Sequence, residues 1–176
     1  HGPNGVGALY VKKGIRLEPR AFGGQQERTL RSGTENLPGI AAFGASVAEL
    51  YPRLDGDIAH MSALRDRLIA GLQAIGVGVK LPAGVSAPHI VNLTLPNIKS
   101  EVMLHFLDAQ GICVSAGSAC STHARGISRA LLAFGSTERE ADCSLRVSLC
   151  ATNTPEEIDA LLVALGEGLA SLIRIK

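Results

Sequence analysis

Residues 145–149 read Leu-Arg-Val-Ser-Leu and are followed at 154–157 by Thr-Pro-Glu-Glu. The first stretch is an apolar run of strand length interrupted by one guanidinium; the second is a helix start. Thr154 is suited to cap the helix and Pro155 to occupy its first position. Glu156, Glu157 and Asp159 sit near the positive end of its dipole. The pattern predicts a strand over 145–149 and a helix from Pro155 to Ile173. Working back along the chain, HIVNLTL (89–95) alternates as a strand does, and Lys99–Gln110 carries Val102, Met103, Phe106 and Leu107 for a helix ended by Gly111. Ile112–Ser115 reads as a second short strand, and a short helix is expected over about Ile127–Phe134. Strand, helix, strand, helix, strand, helix describes a small α/β domain.

Further upstream, Gly5–Val11 (GVGALYV) has strand propensity and is closed by Lys12, Lys13 and Gly14. GGQQERTLRSGTEN (23–36) reads as a loop that delivers a helix, with Pro38 tolerated in its first turn. Ile40, Phe43, Val47 and Leu50 recur at helical spacing, and after Pro52 so do Ile58, Met61, Leu64, Leu68 and Leu72. Two helices, or one kinked helix, are expected. A lone strand with long helices makes no sheet of its own, so this part reads as the tail of a larger domain.

The 176 residues suffice for one or two compact units. Apolar residues make up 46% and charged residues 19%, the balance of a globular chain rather than a disordered one. A net charge of +1 gives no reason to expect a nucleic-acid or anionic-membrane surface. The longest uncharged stretch, Leu81–Ile98, contains Pro82, Pro88 and Pro96, which argues against a membrane span. Four cysteines are too few for a disulfide scaffold, and no secretory leader is recognisable, so a reducing compartment is expected. Cys113, Cys120, Cys143 and Cys150 lack the tight pairing of a structural zinc site, and no nucleotide-binding glycine motif stands in the right context.

Three places bear chemistry. Cys120 lies in SAGSACSTHARG, a run of small residues that leaves the sulfur accessible, with His123, Arg125 and Arg129 to favour its thiolate; the local sequence leaves open a reactive thiol or a buried, inert one. Cys113 and Cys150, in or beside apolar strands, are expected to be buried and inert; Cys143 is expected to be exposed. Arg146, inside an otherwise apolar strand, requires an anion: either an acidic side chain in a salt bridge or a substrate carboxylate in a bidentate clamp. Arg31-Ser32-Gly33-Thr34 precedes a helix start, where a hydroxyl and free N–H groups suit a phosphate, or where Thr34 or Asn36 merely caps. His60, His89 and His105 are read as packing or solvent-facing residues.

Five segments together resemble the C-terminal part of the NifS/IscS-like cysteine desulfurases, pyridoxal-phosphate enzymes of the class V aminotransferase group. They are His1-Gly-Pro-Asn-Gly-Val-Gly-Ala-Leu-Tyr10, GGQQERTLRSGTEN, APHIVNLTL (87–95), SAGSACS (115–121) and LRVSL (145–149). The resemblance implies the C-terminal portion of an aminotransferase fold of type I. Residues 1–50 would be the tail of the large cofactor domain, 51–80 a connecting helix, and 81–176 a small α/β domain carrying the cysteine loop. It assigns Cys120 as the nucleophile that receives sulfur as a persulfide, Arg146 to the substrate carboxylate, and Thr34 to the phosphate of pyridoxal 5'-phosphate across a dimer interface. The implied reaction takes sulfur from L-cysteine, leaving L-alanine, in a cytoplasmic homodimer that feeds an iron–sulfur scaffold or another sulfur acceptor.

Selenocysteine lyase or cysteine sulfinate desulfinase activity on the same fold is the neighbouring alternative, and a non-catalytic sulfur-accepting domain a more distant one. In the family the Schiff-base lysine lies just ahead of the Gly-Pro-x-Gly segment, and Lys12 and Lys13 are not its equivalent. The chain alone is therefore expected to be inactive. Gln25 and Thr29 replace glycines common in the dimer loop, Ile127 a proline, and Cys150-Ala151 a Gly-Arg pair.

Overall fold

The computed structural model describes residues 2–80, 86–116 and 128–173, in two compact units, 1–54 and 55–176. In the first unit, α1 (Leu37–Leu50) starts at Asn36, whose side chain accepts a hydrogen bond from the Gly39 N–H at 3.1 Å. The loop before it closes on itself: Ala21 and Arg31 form a parallel bridge, and the Ser32 hydroxyl donates to the Phe22 carbonyl at 2.9 Å. Glu27, Arg28 and Thr29 all have positive φ, 48°, 55° and 69°, a conformation in which L-residues crowd their own carbonyls.

The strand expected over Gly5–Val11 does not form. A strand is stable only when a neighbour takes its N–H and C=O groups, and none of the described residues of the first unit pairs with this segment as a strand. No described residue of that unit is buried, and Leu9 (76% exposed), Tyr10 and Phe22 face outward.

A 3₁₀ turn over Tyr51–Arg53, containing Pro52, ends the first unit, and α2 (Leu54–Ala74) begins the second. Then follow β1 (Gly78–Lys80), β2 (Ile90–Thr94), α3 (Ser100–Asp108), β3 (Ser115–Ala116), α4 (Arg129–Ala133), α5 (Glu138–Asp142), β4 (Ser144–Ser148) and α6 (Pro155–Ser171). The strands form an antiparallel sheet in the order β1-β2-β4-β3. β1 and α5 carry no periodic signal; one is three residues beginning with glycine, the other a single capped turn.

One face of the sheet is apolar. Val91, Leu93, Leu145, Val147 and Leu149 share a core with Leu64, Leu68 and Leu72 of α2, Met103 and Leu107 of α3, and Ile158, Leu161 and Leu165 of α6. α2 and α3 bury part of the stripe their sequence spacing implies, while Ile58 and Val102 of those stripes are exposed. α3 stops where Gly111 turns the chain at φ +76° and Ile112 N–H reaches back to the Leu107 carbonyl. The helices approach closely at two glycines. A Cβ on Gly168 would stand 2.6 Å from the Met103 sulfur, and one on Gly71 would collide with Leu162.

Two capping boxes hold the helix starts. Thr137 and Glu140 close α5, Thr154 and Glu157 close α6. Backbone donation from Thr137, followed by the Lys80 ammonium, holds the Glu140 carboxyl below its usual range. The Asn153 amide and then the Thr154 N–H do the same for Glu157.

Since these carboxylates have folded-state pKa values below their unfolded ones, the stability they contribute is present above about pH 4.3. It is lost as pH falls through the depressed values. Denaturant titrations from pH 7 to pH 3 are expected to show that loss, with a shallower dependence in Glu157→Gln. Gly168→Val is expected to destabilise by about 1–3 kcal/mol through overpacking against Met103, read as a lower urea midpoint at unchanged slope.

Candidate functional site

Period-two geometry divides β4 sharply. Leu145, Val147 and Leu149 enter the core, so Ser144, Arg146 and Ser148 line the opposite face. The register places Asn92 directly opposite Arg146 on one side and Ser115 opposite it on the other, with Lys80 opposite Asn92. Lys80, Asn92, Arg146 and Ser115 thus form one polar row across all four strands.

The member of the row at its β1 end is already partnered. The Lys80 ammonium donates to the Gly135 carbonyl at 3.0 Å and to Glu140 Oε2 at 3.3 Å, so its charge is matched. Arg146 is not matched. Its Nη2 donates to Ser115 Oγ at 3.3 Å, and among the described residues no carboxylate pairs with it. Its Nε is buried and without a hydrogen-bond partner. Of the two readings open for this residue, the internal salt bridge is therefore absent among the described residues. A half-buried guanidinium with free donors suits a carboxylate ligand.

Thr34, in the first unit, is exposed, and the loop around it is built by its neighbours. Gln26 Oε1 accepts from the Gly33 N–H at 3.3 Å, and Arg31 Nη1 donates to the Ser32 carbonyl at 2.6 Å. Gly33 holds φ +103°, and a Cβ there would meet the Arg31 guanidinium at 2.7 Å. Asn36, not Thr34, caps α1, which leaves the Thr34 hydroxyl available. A free hydroxyl ahead of a helix start fits a phosphate group.

Cys120, His123 and Arg125 lie outside the described residues. Arg129, at the start of α4, is exposed. The other cysteines are the reverse of what their sequence setting suggests: Cys143 is buried, whereas Cys113 and Cys150 are exposed. Strand parity explains the reversal, since Cys143 shares its parity with Leu145 and Val147, while Cys150 shares that of Arg146 and Ser148. Cys113 stands between Ile112 and Val114, both packed against the core. Burial raises the Cys143 thiol above its usual range. A hydrogen bond with Thr152, whose hydroxyl lies 3.1 Å from the sulfur, lowers that of Cys150. His60 Nε2 lies 2.8 Å from the Asn153 carbonyl and serves packing, while His89 and His105 are exposed.

Sequence reading missed Asn92 and Ser115 as neighbours of Arg146. The signal was present in HIVNLTL, where Asn92 is the polar member of the alternation. The register that brings it to Arg146 is not local.

The aminotransferase class-V family profile matches residues 1–161. The chain belongs to that family. Among curated relatives it is 40% identical over 169 residues to the cysteine desulfurase IscS of Clostridium botulinum strain Hall, covering 94% of this chain and 43% of the relative. It is 38% identical over 173 residues to the cysteine desulfurase IscS of Methanosarcina thermophila, covering 94% of this chain and 41% of the relative.

Among solved structures it resembles a NifS-like protein with a TM-score of 0.80 and 36% identity, over 98% of this chain and 44% of that one. It also resembles a NifS-like protein of Rickettsia africae with a TM-score of 0.72 and 30% identity, over 90% and 41%. The fold is thus the α/β fold of NifS-like proteins, and the chain spans less than half the length of the curated relatives it matches.

Alkylation with iodoacetamide followed by peptide mass mapping is expected to label Cys150 and Cys113 in the native protein. Cys143 should react only after unfolding, because the thiolate attacks and burial disfavours it.

Proposed function

We propose that this chain is the C-terminal portion of a pyridoxal-phosphate-dependent cysteine desulfurase, acting on L-cysteine as a cytoplasmic homodimer and passing sulfur to an iron–sulfur scaffold or another acceptor protein. The observation that carries this reading is the unmatched guanidinium of Arg146 on the polar face of the sheet. It is bonded to Ser115 on the strand whose chain leads into Cys120. The relatives named cysteine desulfurase support the same reading.

Arg146 binds the substrate carboxylate through two parallel N–H donors, which orients the amino acid as well as holding it. Cys120 acts as thiolate: it attacks the substrate sulfur, the carbon–sulfur bond breaks, and the sulfur remains on Cys120 as a persulfide while the carbon skeleton leaves as alanine. Thr34 donates its hydroxyl to the cofactor phosphate. Pyridoxal phosphate, when bound, supplies the electron sink for the substrate carbon. A catalytic lysine is required for that chemistry. Lys12, Lys13, Lys80, Lys99 and Lys176 do not stand at its family position, so the 176-residue chain by itself is expected not to turn cysteine over.

In the full-length enzyme with cofactor, cysteine is expected to yield alanine and an added sulfur on Cys120, mapped by mass spectrometry after turnover. Cys120→Ala should abolish both the persulfide and the desulfuration. Arg146→Gln should raise KM for cysteine roughly tenfold to a hundredfold, as loss of a charge-assisted pair implies. Persulfide on another cysteine, or undiminished turnover of cysteine by Cys120→Ala, would overturn the reading. Faster turnover of selenocysteine or cysteine sulfinate than of cysteine would replace the substrate.

A further inference from the structure

We propose that Asn92 is a positioning residue for Arg146, holding the guanidinium by its Nε–H so that the Nη1/Nη2 edge is presented to the substrate carboxylate. The proposal deepens the reading of Arg146 as the carboxylate-binding residue and rests on it.

Asn92 on β2 and Arg146 on β4 are directly opposed in the register and project from the same face of the sheet. Directly opposed side chains have Cβ atoms only about 4.5–5.5 Å apart. Asn92 Nδ2 donates to the Leu145 carbonyl at 3.3 Å. A carbonyl can only accept, so this bond fixes which way the amide is turned, with Oδ1 on its other side. That Oδ1 is buried and without a partner, as is Arg146 Nε. One orphan is an acceptor, the other a donor, and they belong to facing residues. Buried orphans of this kind are rare in folded proteins and mark either a functional strain or a bond completed in another state of the site.

The rest of the guanidinium agrees with this division. Ser115 on β3 takes one hydrogen of Nη2 from the side opposite Asn92. With Nε bonded to Asn92 Oδ1 and Nη2 touched by Ser115, the remaining hydrogens of Nη1 and Nη2 would be left as a fork for a carboxylate to meet bidentately. Arginine's fork recognises a carboxylate only when its plane is set, and a side chain anchored at Cα alone can rotate that plane freely. An acceptor facing Nε restricts that freedom once the bond closes, so a neighbouring residue raises affinity without touching the ligand.

The test uses the full-length enzyme with cofactor. KM and kcat for L-cysteine are measured alongside the dissociation constant of L-alanine by calorimetry, with cysteamine as a substrate analogue lacking the carboxylate. Asn92→Ala is expected to raise both KM for cysteine and the L-alanine constant about tenfold, the scale of one charge-assisted hydrogen bond. It should leave kcat and the handling of cysteamine nearly unchanged. Asn92→Gln, which keeps a neutral amide acceptor without matching the guanidinium charge, should recover part of the affinity. In an Arg146→Ala background, Asn92→Ala should have no further effect, because the two act as one unit.

Where alanine at 92 does not fold, Asn92→Val keeps a strand-forming side chain that carries no acceptor, and reads the same way. Wild-type constants in Asn92→Ala and in Asn92→Val, with Arg146→Ala impaired, would overturn the positioning role alone. So would an Asn92→Ala effect that persists without Arg146. Unchanged constants in Arg146→Ala would instead remove the carboxylate reading of Arg146, and the positioning role with it.

Discussion

The chemistry described here depends on a guanidinium placed in the middle of an antiparallel sheet, on a face where no carboxylate among the described residues answers it. β4 is an inner strand, and its alternation is strict: leucine and valine on the core side, serine and arginine on the other. A charge at that position cannot leave for solvent by a change of rotamer as a rim residue would, and burying it without an anion is costly. The fold tolerates Arg146 because two neighbouring strands bring polar side chains to it and because donors remain for a ligand. Shape and charge of the site follow from the register of three strands.

The rest of the polar row is consistent with that role. Lys80, the other cation on the row, is committed to Glu140 and to the Gly135 carbonyl, and Glu140 in turn closes the start of α5. One charge is thereby spent on holding a loop and helix start, and the other, Arg146, has no carboxylate partner among the described residues. The contrast could not be drawn from charge type alone. It arises from which helix terminus lies beside which strand.

The two units differ in how much of their structure they generate themselves. Helices α2, α3 and α6 share a continuous core with the sheet, so their local preferences and their packing agree. Residues 2–54 have strand-like and helical segments with no buried residue among those described, and GVGALYV at 5–11 remains unpaired. An apolar run with strand propensity is a conditional instruction: it specifies a strand only where another edge accepts its backbone hydrogen bonds. The curated relatives it matches are more than twice as long as this chain.

The amino-acid sequence by itself determined the elements whose signal is local. Thr154-Pro155 and the carboxylates after it mark the start of α6, the apolar spacing of 58–72 marks α2, alternation marks β2 and β4, and Gly111 marks the end of α3. It also singled out Arg146 as a cation in an apolar strand, though not its partner. Only the tertiary structure decided that Asn92 and Ser115 flank that cation, that Lys80 is already committed, that β1 exists, and that Cys143 is the buried thiol while Cys113 and Cys150 face outward. The physical reason is that helix caps and periodicities act within about one turn of chain, whereas a strand's neighbours are chosen by register between segments dozens of residues apart, and a side chain's surroundings are fixed only once that register is set.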